Sequence, residues 1–452
     1  MEREKLGSRM GFILLSAGCA IGIGNVWRFP YITGLYGGSA FVLFYLFFLF
    51  TMGIPVMTME FAVGRASRRS IIKSFTKLER PGAKWHLHGY LGMAGNYLLM
   101  MFYTTVAGWM LYYFYQMLTG RFTGKSPEQV GGMFQDMLSE PLVLTVSMVV
   151  VVAAGILICS MGLQKGVERI TKIMMSLLLV IIVVLAVHGL TLEGSMEGVK
   201  VYLLPDFQRM KQVGIWETVT AAMNQAFFTL SLGIGSMAIF GSYIDKKRTL
   251  LGEAVNIAVL DTFVALVSGL IIFPTCFAFG ISPDAGPQLI FVTLPNVFNS
   301  MAGGRIWGTL FFVFMTFAAF STILAVFENI ISCCMDLFHW SRKKACLVNL
   351  AALIVLSLPC VLGYNLWSAF QPLGEGSAVL DLEDFAVSNV ILPIGSLCYL
   401  LFCVTRYGWG FDHYLEEANT GTGLKMPKGL RFYLSYILPV LLVFLIVLGL
   451  AG

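Results

Sequence analysis

The stretch GFILLSAGCAIGIGNVWRFPY (Gly11–Tyr31) is long enough to cross a membrane, yet it contains residues that membrane helices tolerate poorly. Gly22-Ile23-Gly24-Asn25 lies at its centre, and each glycine weakens a helix by about 1 kcal/mol. Glycine also lets membrane helices pack closely, so this stretch alone does not separate a helix break from a packing contact. The rest of the sequence is needed to distinguish these two explanations.

Composition indicates a membrane protein with many spans. Of 452 residues, 57% are apolar or aromatic and only 12% are charged. Long apolar runs recur along the chain, and about 20 such residues cross a bilayer. These runs predict an all-α polytopic protein with eleven transmembrane helices near residues 11–36, 40–70, 86–118, 141–161, 165–190, 216–243, 250–281, 304–336, 343–364, 384–407 and 429–451.

The positive charges predict the orientation of these helices. With a cytoplasmic N-terminus, 23 of the 30 lysines and arginines fall in internal segments and six in external ones, while Arg28 lies within a span. This bias follows the positive-inside rule and places the C-terminus outside. It also accounts for the net charge of +5, which therefore indicates no nucleic-acid partner.

The remaining sequence features favour a bacterial plasma membrane. The charged N-terminus leads into a helix too long and polar for a cleavable signal peptide. No N-glycosylation acceptor occurs, and the predicted external loops are short. The nine cysteines form no metal-binding spacing and are expected to be buried thiols. No pattern indicates an oligomeric state.

A second broken helix appears in the sixth predicted span. FFTLSLGIGSM (Phe227–Met237) repeats the Gly-Ile-Gly pattern at mid-span. The two breaks open two five-helix blocks, residues 9–190 and 216–407, within one transporter domain of residues 1–452 that ends with a helix at 429–451. Paired interrupted spans point to a transporter binding site, because unwound backbone at that depth must line a cavity or be buried in protein. Its free N–H and C=O groups can hold a carboxylate and a cation.

These motifs occur together in one known family. The chain resembles the neurotransmitter:sodium symporter family, whose LeuT-like fold is a 5+5 inverted repeat with discontinuous first and sixth helices. The matching words, in chain order, are RMGFILLSAGCAIGIGNVWRFPYITGLYGGSAF (Arg9–Phe41), GIPVMTMEFAVGR (Gly53–Arg65), QAFFTLSLGIGSM (Gln225–Met237), LLGEAVNIAVLDT (Leu250–Thr262), FAAFSTILAVFEN (Phe317–Asn329) and LDLEDF (Leu380–Phe385).

The resemblance implies sodium-coupled uptake of a small molecule, with membrane lipid as the surroundings and two sodium sites beside the substrate. Oxygen atoms would supply the ligands, as a hard cation requires. Sodium site 1 would use Ala20, Asn25, Thr229 and Asp261, together with the substrate carboxylate. Sodium site 2 would use Gly18, Ile21, Ala318, Ser321 and Thr322.

Asp261 predicts chloride-independent transport. Many family members have Asn at this position, and chloride-dependent members have Ser four residues later, where this chain has Ala265. A carboxylate at mid-membrane is costly and is functional by default, with a cation as its natural partner. Asp261 would then supply the negative charge that chloride provides elsewhere. A protonated, hydrogen-bonded Asp261 is the alternative.

The resemblance also suggests the substrate class. Monoamine-transporting relatives have Asp where this chain has Gly22, and a glycine there favours an α-amino acid that brings its own carboxylate. Tyr103 matches a tyrosine that contacts this carboxylate. A neutral, hydrophobic or aromatic side chain is expected from the binding residues Ala20, Gly22, Gly24, Leu99, Tyr103, Phe228, Ser231, Ile234, Thr322 and Val326.

Two gates are implied by family position. Outside the substrate site, Arg28 and Asp384 would face each other near Gln225, with Phe228 and Tyr103 as a lid; a static ion pair is the alternative. On the cytoplasmic side the pair would be Arg3 and Asp336, with Ser242 and Tyr243 alongside. Leu6 replaces the tryptophan usual there, which predicts a weaker or differently packed inner gate.

A channel, a sensor and an enzyme are the alternatives to symport. A channel would need rings of like charges or a filter motif. A non-transporting sodium-dependent amino acid sensor on the same fold would bind substrate without moving it. An enzyme is disfavoured because the histidines at 86, 88, 188, 339 and 413 form no metal or catalytic spacing.

Overall fold

The computed structural model describes residues 4–281 and 287–451, and this part of the chain is helical apart from turns and two isolated β-bridges. Each predicted span is found as helix. Their bounds are Arg9–Ala20 with Gly24–Leu35 (first), Ser39–Ser67, His86–Leu118, Pro141–Ser160, Leu163–Thr191, Ile215–Phe228 with Ser236–Gly241 (sixth), Leu250–Ala278, Gly304–Phe338, Arg342–Leu362, Val379–Val404 and Lys428–Leu450 (eleventh). Shorter helices connect them at Ile71–Leu78, Pro127–Ser139, Ser195–Leu203, Phe207–Val213, Leu289–Ser300 and Phe411–Asn419.

Among the described residues, eight of these helices are long and apolar enough to cross a membrane, and the bent pair that forms the first span makes nine. The two remaining predicted spans do not meet this combination of length and apolar character, each for a different reason. The third span is 33 residues long but contains polar residues throughout, and the sixth is divided into two short helices. Both carry residues of the site described below.

The first span breaks where its sequence predicts. Its two helices meet at an angle of 60°. The first helix begins at a Ser8 N-cap, whose hydroxyl accepts a hydrogen bond from the Gly11 N–H at 3.0 Å, and it ends at Ala20. Ile21 and Gly22, between the two helices, are not helical. Their peptide groups are therefore available for other partners.

The sixth span breaks between Phe228 and Ser236. Ser231, Gly233 and Gly235 have positive φ values of 50°, 98° and 78°. At Gly233 a Cβ atom would lie 2.2 Å from the Leu392 carbonyl oxygen, so the position requires glycine for both its backbone conformation and its close contact. The Gly-Ile-Gly motif therefore marks a real interruption of this helix.

The broken spans lie inside the bundle. The first span packs against the fifth, seventh and eighth spans. The most apolar 18-residue stretch of the eighth span is 72% buried inside the protein, whereas that of the eleventh span is 22% buried. The eighth span is therefore central and the eleventh peripheral. We call the end of the bundle that carries residues 4–9 the N-terminal face, and the opposite end the far face.

Candidate functional site

The breaks of the first and sixth spans meet at a small cavity of about 30 Å³. Phe228 and Tyr103 line this cavity and also a second one of about 130 Å³ toward the far face. These two rings therefore separate the central cavity from the far-face cavity. The residues around the central cavity are Cys19, Ala20, Gly22, Gly24, Asn25, Leu99, Tyr103, Phe228, Thr229, Ser231, Thr322 and Leu392.

Asp261 is the centre of a buried polar cluster beside this cavity. Its Oδ1 accepts a hydrogen bond from Asn25 Nδ2 at 2.8 Å, and its Oδ2 accepts one from Thr229 Oγ1 at 2.8 Å. Tyr45 OH lies 3.5 Å from the same Oδ2. Asp261 is fully buried, and Asn25 and Thr229 also line the cavity, as does Ala20. Three side chains predicted for sodium site 1 are thus in direct contact.

A second group of oxygens surrounds the hydroxyls of the eighth span. Ser321 Oγ donates to the Gly18 and Ala318 carbonyls at 3.0 and 2.9 Å. Thr322 Oγ1 lies 3.2 Å from the Gly18 carbonyl oxygen and 3.4 Å from that of Ile21. The two hydroxyls therefore connect the five residues predicted for sodium site 2, where the first span unwinds.

The donors in both groups suit a hard cation. They are carbonyl and hydroxyl oxygens, one carboxylate, and the Asn25 amide oxygen, which accepts a hydrogen bond from the Gly22 N–H at 3.3 Å. In the part of the chain that the structure describes, no group of three His, Cys, Asp or Glu residues could hold a metal ion. Oxygen ligands of this kind are the ones that a hard cation such as sodium prefers.

Gly22 and Tyr103 are in close contact at the cavity. Tyr103 OH accepts a hydrogen bond from the Ile23 N–H at 3.0 Å. A Cβ atom on Gly22 would lie 2.4 Å from this hydroxyl and 3.1 Å from Thr322 Oγ1. Any side chain at position 22 would therefore displace the tyrosine hydroxyl or occupy the cavity.

The structure divides the predicted side-chain pocket. Leu99, Tyr103, Phe228, Ser231 and Thr322 line the central cavity. Ile234 and Val326 are fully buried and do not line it. The Ile234 side chain instead faces the third span, where a Cβ atom on Gly95 would lie 3.0 Å from its Cγ2. Leu392 of the tenth span and Cys19 line the cavity without having been predicted.

Arg28 and Asp384 line the far-face cavity together, but no ion pair of 4.0 Å or less joins these two described residues. The Arg28 guanidinium carbon lies 4.6 Å above the Phe228 ring, and Asp384 Oδ1 accepts a hydrogen bond from Ser388 at 2.8 Å. Gln225 is fully buried, and its amide has no hydrogen-bond partner among the described residues. The predicted pair is thus placed in one cavity with its charges apart.

Part of the predicted inner gate lies outside the described residues, because Arg3 is not among them. Asp336 Oδ2 accepts a hydrogen bond from the Ser70 N–H at 2.7 Å and has a further interaction. Ser242 Oγ donates to the Ile239 carbonyl oxygen at 2.6 Å.

Tyr243 and a buried ion pair form a connected network at the N-terminal face. Tyr243 OH donates to Glu328 Oε1 at 2.7 Å and lies 2.6 Å from Ser332 Oγ. Glu328 is fully buried and binds both terminal nitrogens of Arg342, at 2.8 and 3.0 Å. Arg342 also lies 3.4 Å from Glu4, so the network ties the ninth span to the chain before the first.

The same face holds the N-terminal segment directly. Glu168 of the fifth span accepts hydrogen bonds from the Gly7 N–H at 2.7 Å and from Ser8 Oγ at 3.0 Å. Arg9 pairs with Glu253 of the seventh span at 2.9 Å. Leu6 is half-buried, and its N–H lies 3.4 Å from the Tyr243 carbonyl oxygen. Contacts of the N-terminal segment with several spans therefore close this end of the bundle.

Three further side chains hold the unwound part of the sixth span. Glu60 accepts a hydrogen bond from the Gly233 N–H at 2.5 Å. The Ile234 carbonyl oxygen accepts from Asn96 Nδ2 at 2.8 Å and from Asn329 Nδ2 at 3.3 Å. Glu60, like Glu328 described above, could have been singled out from the sequence, because both are ionisable residues within apolar spans.

A model of the sodium:neurotransmitter symporter family matches the chain over residues 3–130 and 129–451. The chain belongs to this family. It is a multi-pass, sodium-dependent symporter of the membrane, which confirms the expectation of a transporter rather than an enzyme.

Individual relatives agree with this assignment. The symporter is 33% identical to a sodium-dependent transporter of Bacillus subtilis, YhdH, over 98% of this chain and 97% of that protein. It is 31% identical to a sodium-dependent transporter of Methanocaldococcus jannaschii, MJ1319, over 98% and 89% of the two chains. Its fold matches the crystal structure of MhsT in complex with L-phenylalanine with a TM-score of 0.88 and 38% identity, over 99% and 100% of the two chains. This match confirms the predicted LeuT-like fold.

Proposed function

We propose that this symporter imports a neutral L-amino acid with a hydrophobic or aromatic side chain, coupled to two sodium ions and independent of chloride. The observation that carries the proposal is Asp261, a buried carboxylate that contacts Asn25 and Thr229 at the wall of the central cavity. A cation bound there is neutralised by the protein itself. No uncompensated positive charge is then left for a chloride ion to balance.

Coupling between sodium and substrate follows from the position of this cluster. Asn25 and Thr229 line the cavity and also contact Asp261. A substrate carboxylate in the cavity can therefore complete the coordination of sodium at site 1. The second ion would lie between Gly18, Ile21 and the hydroxyls of Ser321 and Thr322. Each sodium ion that enters gains about 2.3 kcal/mol per 100 mV of membrane potential.

Gly22 and the apolar wall support the choice of substrate. The close contact of Gly22 with Tyr103 leaves no room for an acidic side chain that would pair with an amine. Leu99, Phe228 and Leu392 provide the apolar surface, and the relative MhsT was crystallised with L-phenylalanine. The cavity of about 30 Å³ has room for about one water molecule. We therefore infer that Phe228 or its neighbours move when substrate enters.

Alternating access would open the two faces in turn. Of the described residues, the N-terminal face is held by Glu328, Arg342 and Glu168, while Arg28 and Asp384 remain apart at the far face. We propose that the N-terminal face is cytoplasmic in a bacterial plasma membrane, as the positive charges predict, and that the C-terminus is extracellular. Residues 9–190 and 216–407 would be the two inverted repeats.

Uptake into proteoliposomes tests the proposal. Radiolabelled amino acids would be offered with external sodium or choline, each with and without chloride. We expect accumulation of a large aliphatic or aromatic amino acid that requires sodium and is unchanged without chloride. Sodium-dependent binding without accumulation would instead identify a sensor, and a requirement for chloride would contradict the role of Asp261.

Substitution of Gly22 by alanine should weaken substrate binding. The added methyl group would lie 2.4 Å from Tyr103 OH, and the buried ring has little freedom to retreat. We expect an apparent affinity at least about tenfold lower, the equivalent of about 1.4 kcal/mol, measured as the KM for uptake. Gly132→Ala is the matched control because no atom lies within 4 Å of its added methyl group. Equal KM values in both variants would contradict this use of Gly22.

A further inference from the structure

An open groove of about 410 Å³ lies on the far face, away from the substrate cavity. Its walls come from the end of the third span, the helix Pro127–Ser139 and the start of the fourth span. Four charged side chains line it. Arg121 and Lys125 follow the third span, whereas Asp136 and Glu140 lie on the helix and just after it. The groove therefore has cations from one segment and carboxylates from another.

These four charges are not used to hold the protein together. Among the described residues, none of them forms an ion pair of 4.0 Å or less. Elsewhere on the same surface, Lys200 and Glu197 pair at 3.5 Å. Arg121 and Glu140 are exposed and Lys125 is half-buried. Two positive and two negative groups are thus available to a ligand that carries both signs of charge.

Gln116 adds a buried polar atom that lacks a partner. It lines the groove and is only 4% exposed, and its Oε1 accepts no hydrogen bond from any described residue. Its backbone carbonyl accepts from the Arg121 N–H at 3.0 Å, so the two residues lie on the same turn. A buried amide oxygen without a donor is costly. The groove therefore favours a ligand that brings a hydrogen-bond donor.

Exposed apolar side chains beside the groove indicate that it lies at the level of lipid headgroups. Leu118 and Leu142, at the ends of the two spans that border it, are 46% and 72% exposed, and Tyr115 and Val146 beside them are 51% and 52% exposed. In a membrane such apolar faces contact acyl chains, and tyrosine is enriched at the interface. A lipid whose chains run along these residues would bring its headgroup to the groove.

We propose that this groove binds the headgroup of phosphatidylethanolamine. Arg121 and Lys125 would contact the phosphate, while the primary ammonium would donate to Asp136, Glu140 and the Gln116 amide oxygen. Phosphatidylcholine has no N–H to donate, and phosphatidylglycerol has no cation for the carboxylates. The groove should therefore prefer phosphatidylethanolamine to both. This site is independent of the proposed substrate and of its sodium coupling.

Native mass spectrometry of the full chain tests the proposal directly. The protein in detergent would be mixed with equimolar amounts of the three lipids. After its release from detergent in the mass spectrometer, the lipids that stay bound would be counted. We expect phosphatidylethanolamine to be retained about three- to tenfold more than phosphatidylcholine, which corresponds to the net free energy of about one ordinary hydrogen bond at an exposed site. The double variant Arg121→Gln/Glu140→Gln should lose this preference. Glu197→Gln/Lys200→Gln removes an equal pair of charges elsewhere on the same face and should keep it.

Two further arms identify the source of the zwitterion. Glycerophosphoethanolamine, which has the same headgroup without acyl chains, should displace bound phosphatidylethanolamine from the native protein. Displacement by an equal concentration of a free amino acid would show that the groove accepts soluble zwitterions generally, and it would overturn the lipid assignment. Equal retention of the three lipids by the native protein, or an unchanged preference in the double variant, would overturn it too. The single variant Glu140→Gln, which removes an ammonium contact, serves if the double variant does not fold.

Discussion

Asp261→Asn should abolish most sodium-coupled transport at ordinary sodium concentrations. The carboxylate is fully buried, and its two oxygens contact Asn25 and Thr229 at the cavity wall. Removing the charge leaves a sodium ion bound at this site without a counter-charge from the protein. A buried, hydrogen-bonded charge pair that loses one partner costs about 3 kcal/mol, so the apparent sodium affinity should fall roughly 100-fold. Uptake measured against sodium concentration gives this value.

The control for this variant has to change a carboxylate without touching the cavity. Asp412→Asn is suitable because Asp412 is 81% exposed and lies 3.4 Å from Arg431 at the surface. Its sodium dependence should equal that of the native protein. If Asp261→Asn also retained native sodium affinity, Asp261 would be a neutral, structural acid, and chloride independence would need another explanation.

Glu328→Gln should weaken closure of the N-terminal face. Glu328 is fully buried and binds Arg342 through two contacts at 2.8 and 3.0 Å, so the substitution leaves a mostly buried guanidinium without its counter-charge. Breaking such a pair costs about 3–5 kcal/mol. If about 3 kcal/mol of this falls on the closed state, the ratio of closed to open protein falls roughly 100-fold.

Cys19 offers a native probe for this opening. It is fully buried and lines the central cavity, so a thiol reagent reaches it only when a path opens. A membrane-impermeant maleimide applied to the N-terminal face should label the Cys19 peptide faster in Glu328→Gln than in the native protein. Glu197→Gln, an exposed carboxylate on the far face, should leave labelling unchanged. Lost uptake with unchanged labelling would mean that Glu328 acts at another step.

Much of the fold could be predicted because its signals are local. Apolar runs marked the spans, and the Gly-Ile-Gly motifs marked both interruptions. Ser231 shows the limit of this reasoning, because a non-glycine residue adopts positive φ there only in the context of the folded break. The third span shows another limit, since its polar residues reduce its mean hydropathy although the helix is continuous over 33 residues.

Contacts within the candidate site could be predicted where one position determines them, and less well where packing does. Asn25, Thr229 and Asp261 lie in contact, and their binding of sodium stays a prediction. Ile234 does not reach the cavity, because its backbone is turned by the glycines on either side and its side chain packs against the third span. Leu392 reaches it from the tenth span, a partner that no local pattern in the first or sixth span could reveal. Glu60 was visible as a charged residue within a span, but its partner, the Gly233 N–H, appears only in three dimensions.

The Ile234 carbonyl has a consequence for how the sixth span can move. It accepts hydrogen bonds from Asn96 of the third span and Asn329 of the eighth, while the neighbouring Gly233 N–H is held by Glu60 of the second span. Hydrogen bonds to three other spans thus hold the segment between the two short helices in place. We expect either short helix to tilt about this held segment, so that one half could move without the other. Such independent tilting would suit the alternating access proposed above.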